Sequence, residues 1–263
     1  MRSAFEGERR WPGGHKELTL LAVPDLHRDA ATGTGSRLAT LLDGVRTVVS
    51  PFPGTSTPVP DAGLHVTIQP INHGLYDTPP IGRTTVTKLV DDLTILLRDR
   101  PAFPLWMGSP VIGQRGIVLD HEPLSDGPFD DSPEDPFSDL VDDVRTVIAR
   151  VCGPGAIGHD TRPCHMALVY ASCDQETEDF SSVLRRVRPS HAFVMVRTLV
   201  LAWVRQSPTE CCYQWKVVKR FQLTEHTGTS PAGRARSGRD EHSPALPLLQ
   251  PASPRRRAAE RKA

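Results

Sequence analysis

The chain has 263 residues, of which 38% are hydrophobic, and its 31 lysine and arginine residues balance 31 aspartate and glutamate residues. This neutrality is uneven, because residues 224–263 carry eight basic and four acidic side chains, leaving 23 basic and 27 acidic for the rest. A mildly acidic body excludes a global positive field, so any contact with RNA must come from a local patch. The longest apolar run, Phe193–Val204, has 12 residues and contains Arg197, so it is too short to span a membrane. We therefore expect a soluble, cytoplasmic protein with no membrane partner.

The first half of the chain is predicted to alternate strands and helices behind a polar leader. Residues 1–16 show no hydrophobic period and are predicted to be a flexible leader. Short apolar runs are typical of strands, and apolar residues spaced i, i+3, i+4 predict amphipathic helices. These patterns place a strand at 18–23, a helix at 38–49, a strand at 64–68, a helix at 86–97 and strands near 104–107 and 116–119.

The second half repeats this alternation and ends in a change of composition. The same patterns place a helix at 140–151, a strand at 165–171, a helix at 180–187 and two strands at 193–204 and 212–223. Beyond Leu223 the composition shifts to Ser, Gly, Pro and Arg, which cannot bury enough apolar surface to offset the entropy of ordering. The expected organisation is an antiparallel-rich α+β domain over 17–223, followed by a disordered basic tail over 224–263.

Two short phrases each place a histidine at the start of an alternating strand. They are Leu64-His65-Val66-Thr67-Ile68 and Cys164-His165-Met166-Ala167-Leu168. Because side chains alternate across a strand, each histidine should share a polar face with the residue two positions on, while the residues between them pack into the core. Hydrophobic burial does not account for an imidazole at either place, so both histidines are candidate functional residues.

Two imidazoles that face one phosphodiester have a definite chemical use. With ordinary pKa values near 6.5, one can accept a proton from the nucleophile while the other gives a proton to the leaving oxygen. A hydroxyl two residues along, such as that of Thr67, can donate a hydrogen bond to a non-bridging phosphate oxygen. This chemistry requires no metal and no cofactor.

These motifs resemble those of the two-histidine (2H) phosphoesterases, specifically the 2'-5' RNA ligase and RNA 2',3'-cyclic phosphodiesterase group. That family carries two H-x-T/S-x motifs, matched here fully at His65-Val66-Thr67-Ile68, whereas at His165-Met166-Ala167-Leu168 an alanine replaces the Thr or Ser. The flanking pair Arg162-Pro163 agrees as well, and the late strand pair that contains Tyr213-Gln214-Trp215 resembles the family's closing hairpin, so the resemblance covers about 18–223.

The resemblance implies both a fold and an activity. The fold is a bilobal, pseudo-twofold α+β domain, with two antiparallel-rich sheets flanked by helices around a central cleft. The activity is a metal-independent phosphodiesterase acting on an RNA end or a small nucleotide phosphodiester, which opens 2',3'-cyclic phosphates or cleaves and joins 2'-5' linkages. His65 and His165 would be the catalytic pair and Thr67 the phosphate-binding residue; we first assign His65 as the acid, an order that the sequence does not fix.

Several alternatives stay open at this stage. Ala167 allows a non-catalytic nucleotide or RNA-end binding module on the same fold, and both histidines could be incidental to an α+β scaffold. His191 begins a strand and is a weaker candidate to reach the cleft. The five cysteines form no CxxC pair, which favours reduced thiols and argues against a metal site. The basic tail could contact RNA nonspecifically or simply aid solubility, and the sequence does not indicate an oligomeric state.

Overall fold

The structure, a computed structural model, describes residues 1–6, 11–26, 35–52, 54–71, 80–121, 135–174, 176 and 178–225. The described residues form nine strands: β1 Glu17–Ala22, β2 Ser56–Pro58, β3 Val66–Ile71, β4 Phe103–Ile112, β5 Gly116–His121, β6 His165–Ala171, β7 Ala192–Val196, β8 Thr198–Ser207 and β9 Cys212–Gln222. They also form four α-helices: α1 Gly35–Val49, α2 Arg83–Leu97, α3 Pro136–Cys152 and α4 Glu178–Leu184. The predicted mixture of helices and antiparallel strands is confirmed.

Helix α3 shows how local sequence sets an element's limits. Asp135 caps its start by accepting a hydrogen bond of 3.1 Å from the backbone N–H of Phe137, and Pro136 occupies the first turn. Arg150 lies in the last turn, where a cation is favourable, and Gly153 follows with a positive φ of 89°. The helix buries one stripe against the sheet, consisting of Phe137, Leu140, Val141, Val144, Val147 and Ile148.

The strands form a single antiparallel path in the order β7-β4-β5-β6-β3-β1-β8-β9, with β2 also paired to β6. This differs from the expectation of two separate sheets. The two four-stranded halves are joined by one residue pair, Val66 of β3 with Met166 of β6. The junction is narrow because β2 pairs with β6 from Val169 to Ala171, which leaves only the start of β6 for β3.

The predicted long strand at 193–204 is two strands in the structure. β7 pairs with β4 and β8 pairs with β1 and β9, although only Arg197 separates β7 from β8. The opposite edges of the sheet must therefore meet at this end. A bridge between Pro101 and Thr224 joins the same two edges, so the sheet curls into a half-barrel. The pattern of apolar residues could not show this division, because the apolar run continues on both sides of Arg197.

The leader predicted to be flexible is packed where the structure describes it. The backbone N–H of Ala4 donates to the carbonyl of Ala171 at 2.9 Å, and Phe5 is buried. The Phe5 ring lies edge-on to Tyr170 and Tyr213, with centroids 5.3 Å apart in both cases. Phe5 thus anchors the start of a segment whose polar composition predicts no structure. The basic tail lies outside the described residues from 226 onward.

The main core lies between the helices and one face of the sheet. Leu41 and Val45 of α1, Leu89 and Leu93 of α2, and the inward residues of the strands are all fully buried. The remaining face of the strands carries the two histidines. Within the described residues, no helix is both long enough and apolar enough to cross a membrane.

Candidate functional site

The two histidine motifs lie side by side at the junction between the halves of the sheet. Val66 pairs with Met166 in antiparallel register, which relates the two strands by a local twofold axis. Positions 65 and 165 are therefore equivalent, and so are positions 67 and 167. Continued by one residue in each direction, this register places His65 beside Ala167 and Thr67 beside His165.

The motif side chains share one face of the sheet. Val66 and Met166 are 1% and 0% exposed and belong to the core. Because neighbouring residues alternate, the histidines and the residues at 67 and 167 point to the opposite face. His165 is exposed there, and His65, Thr67 and Ala167 are half-buried. The alternation predicted from the sequence thus brings both imidazoles to one surface.

The His65 ring is held by contacts with Gly63 and Trp215. Its Nδ1 donates a hydrogen bond to the carbonyl of Gly63 at 2.9 Å, which leaves Nε2 as the acceptor in the neutral ring. Its ring lies edge-on to Trp215, with centroids 5.2 Å apart. Burial lowers the pKa of His65 below its usual 6.5; the Gly63 carbonyl opposes this, and the nearby charge of His165 adds to the decrease. The neutral form of His65 is therefore favoured.

A polar network missed by the sequence analysis supports the strand that carries Thr67. Gln69 is fully buried and donates from Nε2 to the carbonyls of Pro70 and His159, both at 2.8 Å. Arg145 of α3 donates to Oε1 of Gln69 and to the carbonyls of His159 and Ile157. The network ties β3 to the loop that precedes His165. The sequence signal of this network is Gln69 itself, a polar residue between Ile68 and Pro70 in β3.

The sequence analysis also left Trp215 without a role. Trp215 and Tyr213 are two residues apart on β9, and Tyr213 lies edge-on to Tyr170 at 5.5 Å between centroids. The phrase that contains both residues was noted only as part of a closing hairpin. In the structure these aromatic rings reach the strands of both motifs, since Tyr170 lies in β6 and Trp215 contacts His65.

No protein-family model matches the sequence, and no curated protein matches it either. Among solved structures, the protein TT0787 of Thermus thermophilus superposes with a TM-score of 0.54 and 18% identity, covering 80% of this chain and 99% of that one. A structure described as a phosphoesterase gives 0.47 and 13% over 80% and 98%. E. coli LigT complexed with 3'-AMP gives 0.46 and 13% over the same shares.

This chain has the fold of TT0787. The resemblance stated from the motifs is thereby confirmed at the level of the fold. At 18% identity, this similarity shows the arrangement of the backbone alone. The reaction depends on the chain's own residues.

Two other residues near the motifs, Arg162 and Cys164, have structural roles. The guanidinium of Arg162 forms ion pairs with Asp160 at 2.7 Å and with Asp142 at 3.0 Å. Cys164 is buried, and burial together with Asp135 and Asp120 raises the pKa of its thiol to about 12. A thiol that stays protonated is a poor nucleophile. Among the described residues, no group of three or more His, Cys, Asp or Glu side chains could hold a metal ion.

The lowered pKa of His65 predicts a pH-dependent contribution to stability. Because the unfolded chain binds a proton where folded His65 resists it, this residue should reduce the free energy of unfolding as pH falls below about 6.5, by up to about 1.4 kcal/mol per pH unit. Glu17 acts in the opposite direction, since burial raises its pKa to about 7. We therefore compare wild type with His65→Gln by urea unfolding at pH 5 and pH 7.5. The variant should lose less stability on acidification, and an equal loss in both proteins would contradict the burial argument.

Proposed function

We propose that this chain is a metal-independent phosphodiesterase that acts on RNA 2',3'-cyclic phosphate ends or 2'-5' linkages. His65 and His165 serve as the acid–base pair, and Thr67 holds a phosphate oxygen. The observation that carries this proposal is the antiparallel pairing of Val66 with Met166, which brings both motifs to one face in equivalent positions. The two-histidine fold supports it.

The surroundings of His65 support an order of proton transfers opposite to the one first assigned. A lowered pKa keeps His65 neutral near pH 7, and the hydrogen bond to Gly63 directs the lone pair to Nε2. His65 thus suits the general base, and exposed His165 in its protonated form suits the acid. For a 2',3'-cyclic phosphate, His65 removes a proton from water as the water oxygen bonds to phosphorus. The bond from phosphorus to the 3' oxygen breaks, His165 protonates that oxygen, and a 2'-phosphate results.

Thr67 completes one side of the site. If the register of Val66 and Met166 is continued by one residue, Thr67 lies beside His165 and its hydroxyl can donate to a non-bridging oxygen as negative charge develops there. The twofold-equivalent position beside His65 holds Ala167, which has no donor. The phosphate would therefore be held unevenly, and we expect a slower enzyme than one with a hydroxyl at both positions.

The activity is tested with an RNA oligonucleotide that ends in a 2',3'-cyclic phosphate, incubated with purified protein in EDTA. The products are separated by their end groups. We expect a 2'-phosphate product at a rate that EDTA does not change, and no reaction on the matched oligonucleotide ending in a linear 3'-phosphate. Absence of product from correctly folded protein would contradict the proposal, as would a reaction that stops in EDTA and returns with a metal.

A second candidate function is a non-catalytic nucleotide or RNA-end binding module, and Ala167 is the observation that favours it. The substitution Ala167→Thr separates the two functions, because it restores a hydroxyl on the same face as His165. If the chain is an enzyme, kcat on the cyclic phosphate should rise by roughly 10-fold or more, since one such donor can contribute about 2–4 kcal/mol. Ala167→Val adds similar bulk without the hydroxyl and should give no gain. Tight binding of a 2'-phosphate end with no turnover in either variant would favour the binding module.

A further inference from the structure

A cavity lies at the edge of the sheet formed by β4 and β7. Its volume is about 500 Å³, and its walls come from α1, β4 and the segment that leads into β7. The lining residues are Arg37, Thr40, Trp106, Arg188, Pro189, Ser190 and His191. Within the described part of the chain this lining holds two guanidinium groups, two hydroxyls and an imidazole, and it contains no carboxylate. Such a set is complementary to an anion with several acceptor oxygens.

The aromatic wall of this cavity is ordered by its own contacts. The His191 ring stacks on Trp106, with centroids 5.5 Å apart and an angle of 14° between the planes. Ser190 Oγ lies 2.9 Å from His191 Nδ1, and Trp106 also packs against Phe193. Arg188 Nη1 donates to the carbonyls of Arg185 and Val187, at 2.9 and 2.7 Å, and these two hydrogen bonds orient the guanidinium.

Trp106, in the wall of this cavity, points to the same face of the sheet as His165. Leu105 and Met107 belong to the core, so Trp106 between them points to the opposite face, as does His165 beside Met166. Only β5 lies between β4 and β6, which separates Trp106 and His165 by two strand spacings, or about 10 Å across the sheet. A short single strand of RNA held at the histidines could reach the cavity.

Charge gives an independent reason to place RNA here. The chain outside its tail carries 23 basic and 27 acidic residues, so a local patch must supply the attraction. Arg185, Arg186 and Arg188 are all exposed within four residues, immediately before the wall of the cavity, and Arg37 is exposed on its other side. This arrangement concentrates positive charge at one edge of the sheet.

We propose that the cavity lined by Arg37, Arg188, Ser190 and Trp106 is a second phosphate subsite, which binds a backbone phosphate of an RNA strand whose end lies at His65 and His165. The inference rests on the proposed function for the position of the RNA end. It extends that function by making RNA longer than one nucleotide the preferred ligand. Arg37 and Arg188 contact the phosphate without taking part in the reaction.

The test compares a long and a short ligand that carry the same end group. Fluorescence anisotropy measures the binding of a labelled tetranucleotide ending in a 2'-phosphate, and uridine 2'-phosphate competes for the same protein. We expect the tetranucleotide to bind wild type at least 10-fold more tightly than the mononucleotide. Arg37→Ala and Arg188→Ala should each weaken the tetranucleotide several-fold and lower the slope of log affinity against log salt by about 0.7. Arg37→Glu should weaken it further, and none of these variants should change mononucleotide affinity.

The controls separate this inference from the proposed function. Arg98→Ala removes an exposed arginine at the end of α2 and should leave both ligands unaffected. If binding of the tetranucleotide depends on Arg37 and Arg188 but the cyclic phosphate is not hydrolysed, the subsite stands and the phosphodiesterase proposal fails.

Equal affinities for the tetranucleotide and the mononucleotide, or loss of mononucleotide binding in Arg37→Ala, would overturn the subsite. Arginine-dependent binding of inorganic pyrophosphate without a length effect would instead show a site for a free anion. Because Arg188 also bonds the backbone, Arg37 variants with an unchanged melting temperature decide the outcome.

Discussion

Replacing His65 or His165 with alanine should reduce kcat on a 2',3'-cyclic phosphate by a factor of about 10²–10⁴. Each substitution removes one of the two proton transfers, and the remaining imidazole cannot serve at both ends of the reaction. KM should change less than kcat, because Thr67 and the rest of the cleft still bind the phosphate. Steady-state rates for both variants, measured on the same labelled oligonucleotide, give the two parameters separately.

The pH profile distinguishes the two histidines. If neutral His65 is the base, the acidic limb of kcat/KM in wild type lies below pH 6.5, because the pKa of His65 is lowered by burial. In His65→Ala this limb should disappear from the residual rate, and in His165→Ala it should remain. His159→Ala is the matched control, since the His159 side chain is exposed and only its backbone carbonyl takes part in the Gln69 network. Full activity in either active-site variant, or an acidic limb that survives in His65→Ala, would contradict the assignment.

Much of the fold could be predicted because its elements obey simple periods. The stripes of α1, α2 and α3 and the alternation of β3 and β6 are local properties of the sequence, and the structure places these elements within a few residues of their predicted limits. The pairing of strands could not be predicted in this way. The division of 193–204 between opposite edges of the sheet depends on closure of the half-barrel, which no local pattern records. The sequence analysis predicted no strand at β2, because Pro51–Pro60 is rich in proline, but its three residues pair with β6.

The candidate site divides in the same way. The motifs themselves identify which residues could act, because an imidazole on the polar face of a strand is visible in the sequence. The role of each imidazole depends on its surroundings, and these come from distant segments. Gly63 accepts from His65 across a short turn, but Trp215 is 150 residues away along the chain. The order of acid and base that we propose therefore depends on contacts that the local sequence around each histidine does not show.

The site is also an unequal pair built on a symmetric junction. The twofold relation at Val66–Met166 makes the two motifs equivalent in backbone position, while Thr67 differs from Ala167 and half-buried His65 differs from exposed His165. Equal imidazoles would compete for the same role. Burial lowers the pKa of His65, which suits it to the base in the proposed mechanism, and the exposed position of His165 suits it to the acid. This inequality also makes the loss of a hydroxyl at Ala167 an effect on one side of the phosphate only.

The substitution Gly116→Ala should be among the most destabilising single changes in the chain. Gly116 pairs with Tyr170 at the start of β5, and an added Cβ would lie 1.8 Å from the carbonyl oxygen of Val169. That contact involves backbone on both sides, so no side chain can rotate away to relieve it. We expect a loss of about 3 kcal/mol or more in the free energy of unfolding, measured by urea denaturation.

Gly113→Ala is the matched control, because it lies in the same β4–β5 connection and its added Cβ would meet nothing closer than 3.6 Å. That variant should stay within about 1 kcal/mol of wild type. Similar stabilities for the two variants would show that β5 and β6 can separate at this point without cost. The consequence reaches the site, because the same pair of strands sets Asp120 against His165. Gly116→Ala protein that remains folded should therefore have a lower kcat on the cyclic phosphate, whereas Gly113→Ala should retain the wild-type rate.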